Sequence, residues 1–283
     1  MAKMDMKVWL FFQIKFWDNI DLKYFLLILL FVSCSKAQEK PSYISFKLEN
    51  DSIYVFAKNP VLGKTFLKIV DQKTKVEQYI DFKKPDTLKI LQFEQSKIDT
   101  SKIIEKFQFS LFYGTSDFKK YDTLYNYGLP FLKGKRYKIL QGQNTNFTHK
   151  GSFSKYAIDF KMNVGQEVCA IRDGLVIKIK EDSNIGGRDK KYRDKANLII
   201  IAHSDGTFAQ YVHLKKDGVL VNKSQIVKKG QVIGYSGNTG MSTEPHLHFA
   251  VYKPTKNGFV SIPYILNSIP TKRYRKGKFA RNK

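Results

Sequence analysis

Residues 197–214 read NLIIIAHSDGTFAQYVHL, two β-branched and aromatic runs hinged on Asp205-Gly206. Asp-Gly between alternating apolar runs is the strongest short hairpin signal, because both residues tolerate the positive φ of a tight turn. A hairpin here makes its surroundings antiparallel. The same logic extends upstream to GQEVCAIRDGLVIKI, residues 165–179, which predicts two strands joined at Asp173-Gly174, and downstream to QIVKKGQVIGYSGNTG, residues 225–240, another strand between turns. The pattern ends on PHLHFAVYK, residues 245–253, a last core strand. Together these predict a compact antiparallel β domain over 141–265.

Residues 41–140 have a different character. Short runs such as SYISFKL (42–48), SIYVFAK (52–58), TFLKIV (65–70), TLKILQF (87–93) and FQFSLFY (107–113) alternate with turn-rich pieces. Period-2 runs at this spacing predict a β-sandwich, with DTSKIIEKF (99–107) its one short helix. No histidine occurs there, so the module is read as non-catalytic. The whole chain is therefore expected to be all-β: a sandwich followed by a compact antiparallel domain.

The chain has 283 residues, enough for two cores, and 42% hydrophobic content with 16 Tyr and 22 Phe describes a folded protein. Its formal net charge of +24 implies attraction to polyanions without choosing among them. LKYFLLILLFVSCSKAQ, residues 22–38, places an apolar run after a lysine and before small residues, as a secretory signal does. The run is shorter than the roughly 20 residues needed to span a bilayer. Residues 1–37 are expected to be that signal, with either Cys34 of a lipobox-like FVSC as an acylated residue and lipid anchor, or cleavage after SKA. The remaining cysteine, Cys169, is read as a small buried hydrophobe. TKRYRKGKFARNK, residues 271–283, carries no acid. Residues 266–283 are expected to be a basic tail, solvated or tethering the chain to an anionic envelope polymer or membrane surface. Nucleic acid is not expected, since no recognition motif accompanies the charge.

All five histidines lie between His149 and His248. On a strand, residues two apart project to one face, roughly 7 Å apart, so His246 and His248 point together. One can ligate a metal while the other carries a proton, although such a pair taken alone is also compatible with structural histidines. His203 abuts the Asp205-Gly206 turn and is read as structural.

His149, Asp159 in YAIDF, GQEVCAIRDGLV, YVHL, KKGQVIGYSGNTG and PHLHF, in that order, resemble the lysostaphin and LytM type of zinc metallopeptidase that cuts peptide cross-links in bacterial cell walls. The resemblance covers roughly residues 141–263. It implies that His149, Asp159 and His248 bind one zinc ion, and that His213 and His246 are catalytic. It further implies an exported endopeptidase of the bacterial envelope acting on peptidoglycan peptides. The alternative is a non-catalytic scaffold of the same fold that binds peptidoglycan and activates or localises another hydrolase; the full set of ligand types argues against it. Two histidines and one carboxylate with an open fourth position suit a catalytic zinc. The chain departs from the family in three places. His149 and Asp159 stand ten positions apart where four is common, so the loop between them must fold back. Ser224 and Glu244 stand where glycine is common. EDSNIGGRDKKYRDKAN, residues 181–197, is an insertion expected to form a surface hairpin or flap beside the cleft.

Overall fold

The computed structural model describes residues 41–61, 63–145, 148–256 and 258–283. The expected signal sequence over 1–37 and Cys34 lie outside these residues. Among the described residues no helix is long and apolar enough to cross a membrane.

Residues 44–113 form two three-stranded antiparallel sheets, ordered Ile44–Glu49, Ser52–Lys58, Thr87–Glu94 and Glu77–Phe82, Thr65–Asp71, Phe107–Tyr113. Alternation drives the pairing. Ile53, Val55 and Ala57 turn inward from one sheet and Leu67, Ile69 and Phe109 from the other, so both contribute to a single apolar core. Asn50 and Asp51, at φ 48° and 56°, make the tight turn that sets Glu49 opposite Ser52. The short helix Thr100–Lys106 starts where Asp99 accepts from the Lys102 amide at 2.9 Å and drops Ile103 and Ile104 into the core.

The second core lies against a nine-stranded sheet. Its order runs Ile226–Val227, Gly174–Lys180, Leu198–Ala202, Phe208–Val212, Leu247–Thr255, Ile158–Phe160, Arg136–Gln141, Phe279–Arg281, with Gly258–Ser261 also on Leu247–Thr255. A smaller sheet of Glu167–Cys169, Val232–Ser236 and Leu214–Val219 packs with it. The Asp205-Gly206 hairpin forms as expected: Ala202 faces Phe208, and Gly206 takes φ 89°.

The predicted hairpin at Asp173-Gly174 does not form. Glu167–Cys169 pairs with Val232–Ser236 in the small sheet, while Gly174–Lys180 pairs with Leu198–Ala202 in the large one. Both residues serve other ends. The Asp173 carboxylate accepts from the Lys229 amide at 2.8 Å, and a Cβ on Gly174 would lie 2.5 Å from the Ala202 carbonyl oxygen. Glycine permits the strand to approach; the aspartate fastens a neighbouring turn.

The boundary expected at residue 141 also shifts. Tyr127, Leu129, Phe131 and Ile139 are buried in the second core. Residues 266–283 are not a free tail, because Phe279–Arg281 adds an edge strand to Arg136–Gln141 and Tyr274 and Ala280 are buried. Residues 181–197 form no hairpin either. Gly186–Gly187 pairs in parallel with Gly240–Met241, followed by the short helix Lys190–Lys195.

The sandwich reaches the large sheet at the end of the histidine strand remote from His248. Tyr113 packs on Ala157, Phe208, Ala250 and Tyr252, and the Lys64 ammonium donates to the Ser204 carbonyl at 2.7 Å.

Candidate metal centre

Asp159 lies in the three-residue strand Ile158–Phe160, opposite His248 on one side and Gln141 on the other. Ile158 and Phe160 are buried in the core, so alternation turns Asp159 to the opposite face beside His248. His149 arrives from a loop. The ten-residue separation from Asp159 is closed by a compact turn in which the Ser154 and Lys155 amides donate to the Gly151 carbonyl at 3.0 and 2.8 Å. The Ser154 hydroxyl meanwhile donates to the Thr148 carbonyl at 2.7 Å. The expected fold-back is met.

His149, Asp159 and His248 each offer a donor atom, and the three atoms lie within 4.8 Å of one another. His149 Nδ1–H donates to the Gly142 carbonyl at 2.9 Å, which leaves Nε2 with its lone pair. That buried nitrogen has no hydrogen-bond partner, yet stands 3.3 Å from Asp159 Oδ2. Two acceptors facing each other in a buried site call for a cation between them. His248 turns Nδ1 to Asp159 Oδ1 at 2.9 Å. The donor set of two imidazoles and one carboxylate therefore fits a zinc ion.

Electrostatics agree with the geometry. Burial alone would raise the Asp159 carboxyl, but the adjoining His149 imidazole, the hydrogen bond with His248 and the nearby His246 hold it well below the usual carboxylate range. Burial disfavours charge on His149, yet Asp159 outweighs it and raises its pKa. At His248 burial prevails over Asp159 and the pKa falls.

His213 and His246 stand beside the three donors. Their ring centroids are 4.5 Å apart, and His213 lies 6.0 Å from His248. His213 occupies the corner where the chain leaves the strand Phe208–Val212 of the large sheet for Leu214–Val219 of the small one. It takes φ +66°, a left-handed conformation uncommon for a residue with a side chain. Its Nδ1–H donates to the Thr239 carbonyl at 2.6 Å, so Nε2 is the accepting nitrogen. Burial and then the neighbouring His246 and His248 depress its pKa to about 3, which keeps the ring neutral at pH 7. His246 Nδ1–H donates to the Glu244 carbonyl at 2.8 Å, with the Ser242 hydroxyl 3.1 Å away. Its Nε2 comes within 3.9 Å of Asp159 Oδ1.

No pattern of residue types singles out the residues that orient these rings. The Thr239 hydroxyl donates to the Leu214 carbonyl and accepts from the Asn197 amide, at 2.8 and 3.0 Å. The Asn197 side-chain amide in turn donates to the Ser183 carbonyl at 2.8 Å, joining the two ends of the segment 181–197. Backbone carbonyls carry no sequence signature. Two glycines of SGNTG permit close packing: a Cβ on Gly237 would lie 2.5 Å from the Lys215 nitrogen, and one on Gly240 would meet Ala196.

His203 is apart from this cluster. Its Nδ1–H donates to the Asp173 carbonyl at 3.0 Å, and burial lowers its pKa to about 4, as suits a structural histidine. Cys169 is buried and free, its thiol pushed up to about 11 by burial.

Residues 153–260 match the model of peptidase family M23. The chain carries an M23 peptidase domain. Asp159, His213, His246 and His248 fall inside the matched stretch and His149 just before it. The glycyl-glycine endopeptidase ALE-1 of Staphylococcus capitis is 45% identical over 95 residues, covering 33% of this chain and 23% of that protein. Lysostaphin of Staphylococcus simulans is 44% identical over 95 residues, 33% of this chain and 17% of its own length. The peptidoglycan DD-endopeptidase ShyA of Vibrio cholerae is 35% identical over 117 residues, 40% of this chain and 24% of its own. The chain thus spans less than a quarter of the length of each of these three. The crystallised catalytic domain of Staphylococcus simulans lysostaphin is 29% identical over 48% of this chain and 86% of that one, with a TM-score of 0.32. In the M23 domain of this chain, the donors and both flanking histidines come from four separate segments of the fold.

Proposed function

We propose that the chain is a zinc-dependent endopeptidase that hydrolyses peptide bonds in bacterial peptidoglycan, working outside the cytoplasm in the cell envelope. One observation carries the reading: three donors of the His, Asp and His type converge within 4.8 Å, one of them a buried nitrogen lacking any hydrogen-bond partner. Two of the relatives, ALE-1 and ShyA, are named as endopeptidases, and the peptidoglycan in the name of ShyA supports the substrate class.

His149, Asp159 and His248 would hold one zinc ion, leaving its fourth position open. Bound there, zinc supplies Lewis acidity toward a scissile carbonyl and lowers the pKa of water to about 7. The remaining work falls to the chain. His213, neutral and fixed by the Thr239 carbonyl, presents Nε2 as a proton acceptor. His246, fixed by the Glu244 carbonyl, presents Nε2 from the other ring. Between them the two nitrogens receive a proton from the attacking water, steady charge developing on the carbonyl oxygen and return a proton to the leaving amine. Fixing both Nδ1 atoms in advance spares the rings reorganisation during the reaction.

Metal content of the purified chain and digestion of purified cell walls, followed by product mass spectrometry, test this reading. Stoichiometric zinc and newly released peptide termini are expected. A chain without stoichiometric metal, or one that holds zinc and releases no peptide termini, sinks it.

A further inference from the structure

The face that bears the metal donors continues outward across the sheet. Lys161 stands two residues past Asp159, and its amide donates to the Lys138 carbonyl at 2.8 Å. In the strand Arg136–Gln141, Ile139 enters the core while Arg136 and Lys138 are exposed. In the edge strand Phe279–Arg281, Ala280 is buried while Phe279 and Arg281 are exposed. Phe279 faces Lys138 and Arg281 faces Arg136. By alternation, all of these exposed side chains share the face of Asp159 and His248. The edge strand lies two strand spacings from Asp159, about 10 Å.

This lane is basic throughout. Neither residues 131–141 nor residues 271–283 contain an acid. Among the described residues, the ion pairs include Lys161 with Glu244 at 3.4 Å but none by Arg136, Lys138 or Arg281. Like charges directly opposite across a ladder destabilise it, and Arg136 opposes Arg281. Guarding an edge strand against mispairing needs no such pair. The Arg136 guanidinium also lies 3.9 Å over the Phe279 ring, which is 52% exposed.

We infer that Lys161, Lys138, Arg136, Arg281 and Phe279 form a substrate subsite for carboxylate-bearing peptides of the same peptidoglycan strand whose bond lies at the metal centre. This rests on the proposed peptidase reading. Continuity with the metal face favours the substrate over a separate polyanion, because an extended peptide rising about 3.3 Å per residue crosses the lane in three or four residues. Carboxylates there relieve the Arg136 and Arg281 repulsion.

The test is co-sedimentation of the full chain, on ice, with purified peptidoglycan stripped of attached polymers, either native or with its carboxyls amidated, and with phosphatidylglycerol vesicles. The wild type is expected to bind native peptidoglycan about tenfold more tightly than amidated. Arg136→Gln/Arg281→Gln should lose that preference while binding the amidated form unchanged. Lys83→Gln/Lys84→Gln, with the same charge loss on the sandwich, should keep it. If the double variant fails to fold, Lys138→Gln is expected to show a smaller loss of the same kind. The inference falls if these lane variants bind native peptidoglycan like the wild type, or weaken both forms equally. It falls too if vesicles outcompete peptidoglycan for the lane. Binding is read without cleavage, so a chain that binds in this way and never cuts would strike the proposed activity and leave the subsite standing.

Discussion

Among the described residues, the N-terminal sandwich buries two polar side chains, Asn59 and Thr65, whereas the M23 domain buries His149, Asp159, Arg172, His203, His213 and His246 with others. The first core is sealed by Ile, Leu, Val and Phe, and its stability follows apolar area. The second spends stability on groups that are costly to bury. Nearly all of them are matched to a partner: Arg172 to Asp205 at 2.8 Å, His213 to Thr239, His246 to Glu244. What stays unmatched is instructive. His149 Nε2 and His203 Nε2 both lack a hydrogen bond, but of the two only His149 Nε2 stands within 4 Å of a carboxylate oxygen, at 3.3 Å from Asp159, where a cation fits.

The sharpest way to break this contrast is Asp159→Ala. Loss of roughly a thousandfold or more in peptide release is expected, together with loss of bound metal. Relief from burying a carboxylate is offset by loss of the hydrogen bond with His248, so the thermal midpoint of the metal-free chain should fall only a little. A large drop in that midpoint would mean that Asp159 serves the fold first.

His213→Ala should cost about 10²- to 10⁴-fold in peptide release while zinc remains stoichiometric. Metal analysis beside the rate separates a proton carrier from a ligand, and loss of zinc would assign His213 to the metal.

On the other side of the contrast, Leu67→Ala should destabilise the chain by about 2–5 kcal/mol, read as a shift in denaturant midpoint, because it opens a cavity in an apolar core. Cleavage per folded molecule should be unchanged. A parallel fall in activity would show that the sandwich shapes the site.

A fourth expectation concerns pH. His203 has an ordinary pKa near 6.5 in the unfolded chain and about 4 when folded. Between those values the unfolded chain binds more protons, so stability is full above about 6.5 and declines as pH falls toward 4. His203→Asn, which retains a donor for the Asp173 carbonyl, should flatten that part of the stability profile. An unaltered slope would place the acid sensitivity in other groups.

Much of this was legible from residue types. Period-2 runs foretold five of the six strands of the sandwich, all but Glu77–Phe82, and Asp205-Gly206 set a hairpin whose register follows from the turn. The spacing of His246 and His248 predicted a common face; His248 lies in the strand Leu247–Thr255, while His246 precedes it in a bridge to Gly237. Legibility failed where one local signal suits two tertiary uses. Asp173-Gly174 looks like Asp205-Gly206, but the chain there passes between two sheets, and its glycine serves close strand approach. The basic C-terminal segment reads as solvated because charge dominates its composition, yet Tyr274 and Ala280 find apolar partners and the strand is captured by a sheet edge.

By itself the sequence determined the all-β class, the histidine strand and the chemical types of the candidate ligands, because alternation and turn propensity act over a few residues. Only the tertiary structure decided that His149 closes on Asp159 across ten residues, that carbonyls of Thr239 and Glu244 orient the flanking rings, and that Arg136 meets Arg281 beside the metal face. Those relations depend on which distant strands pair. Pairing is settled by the burial of whole sheet faces, and no short window contains it.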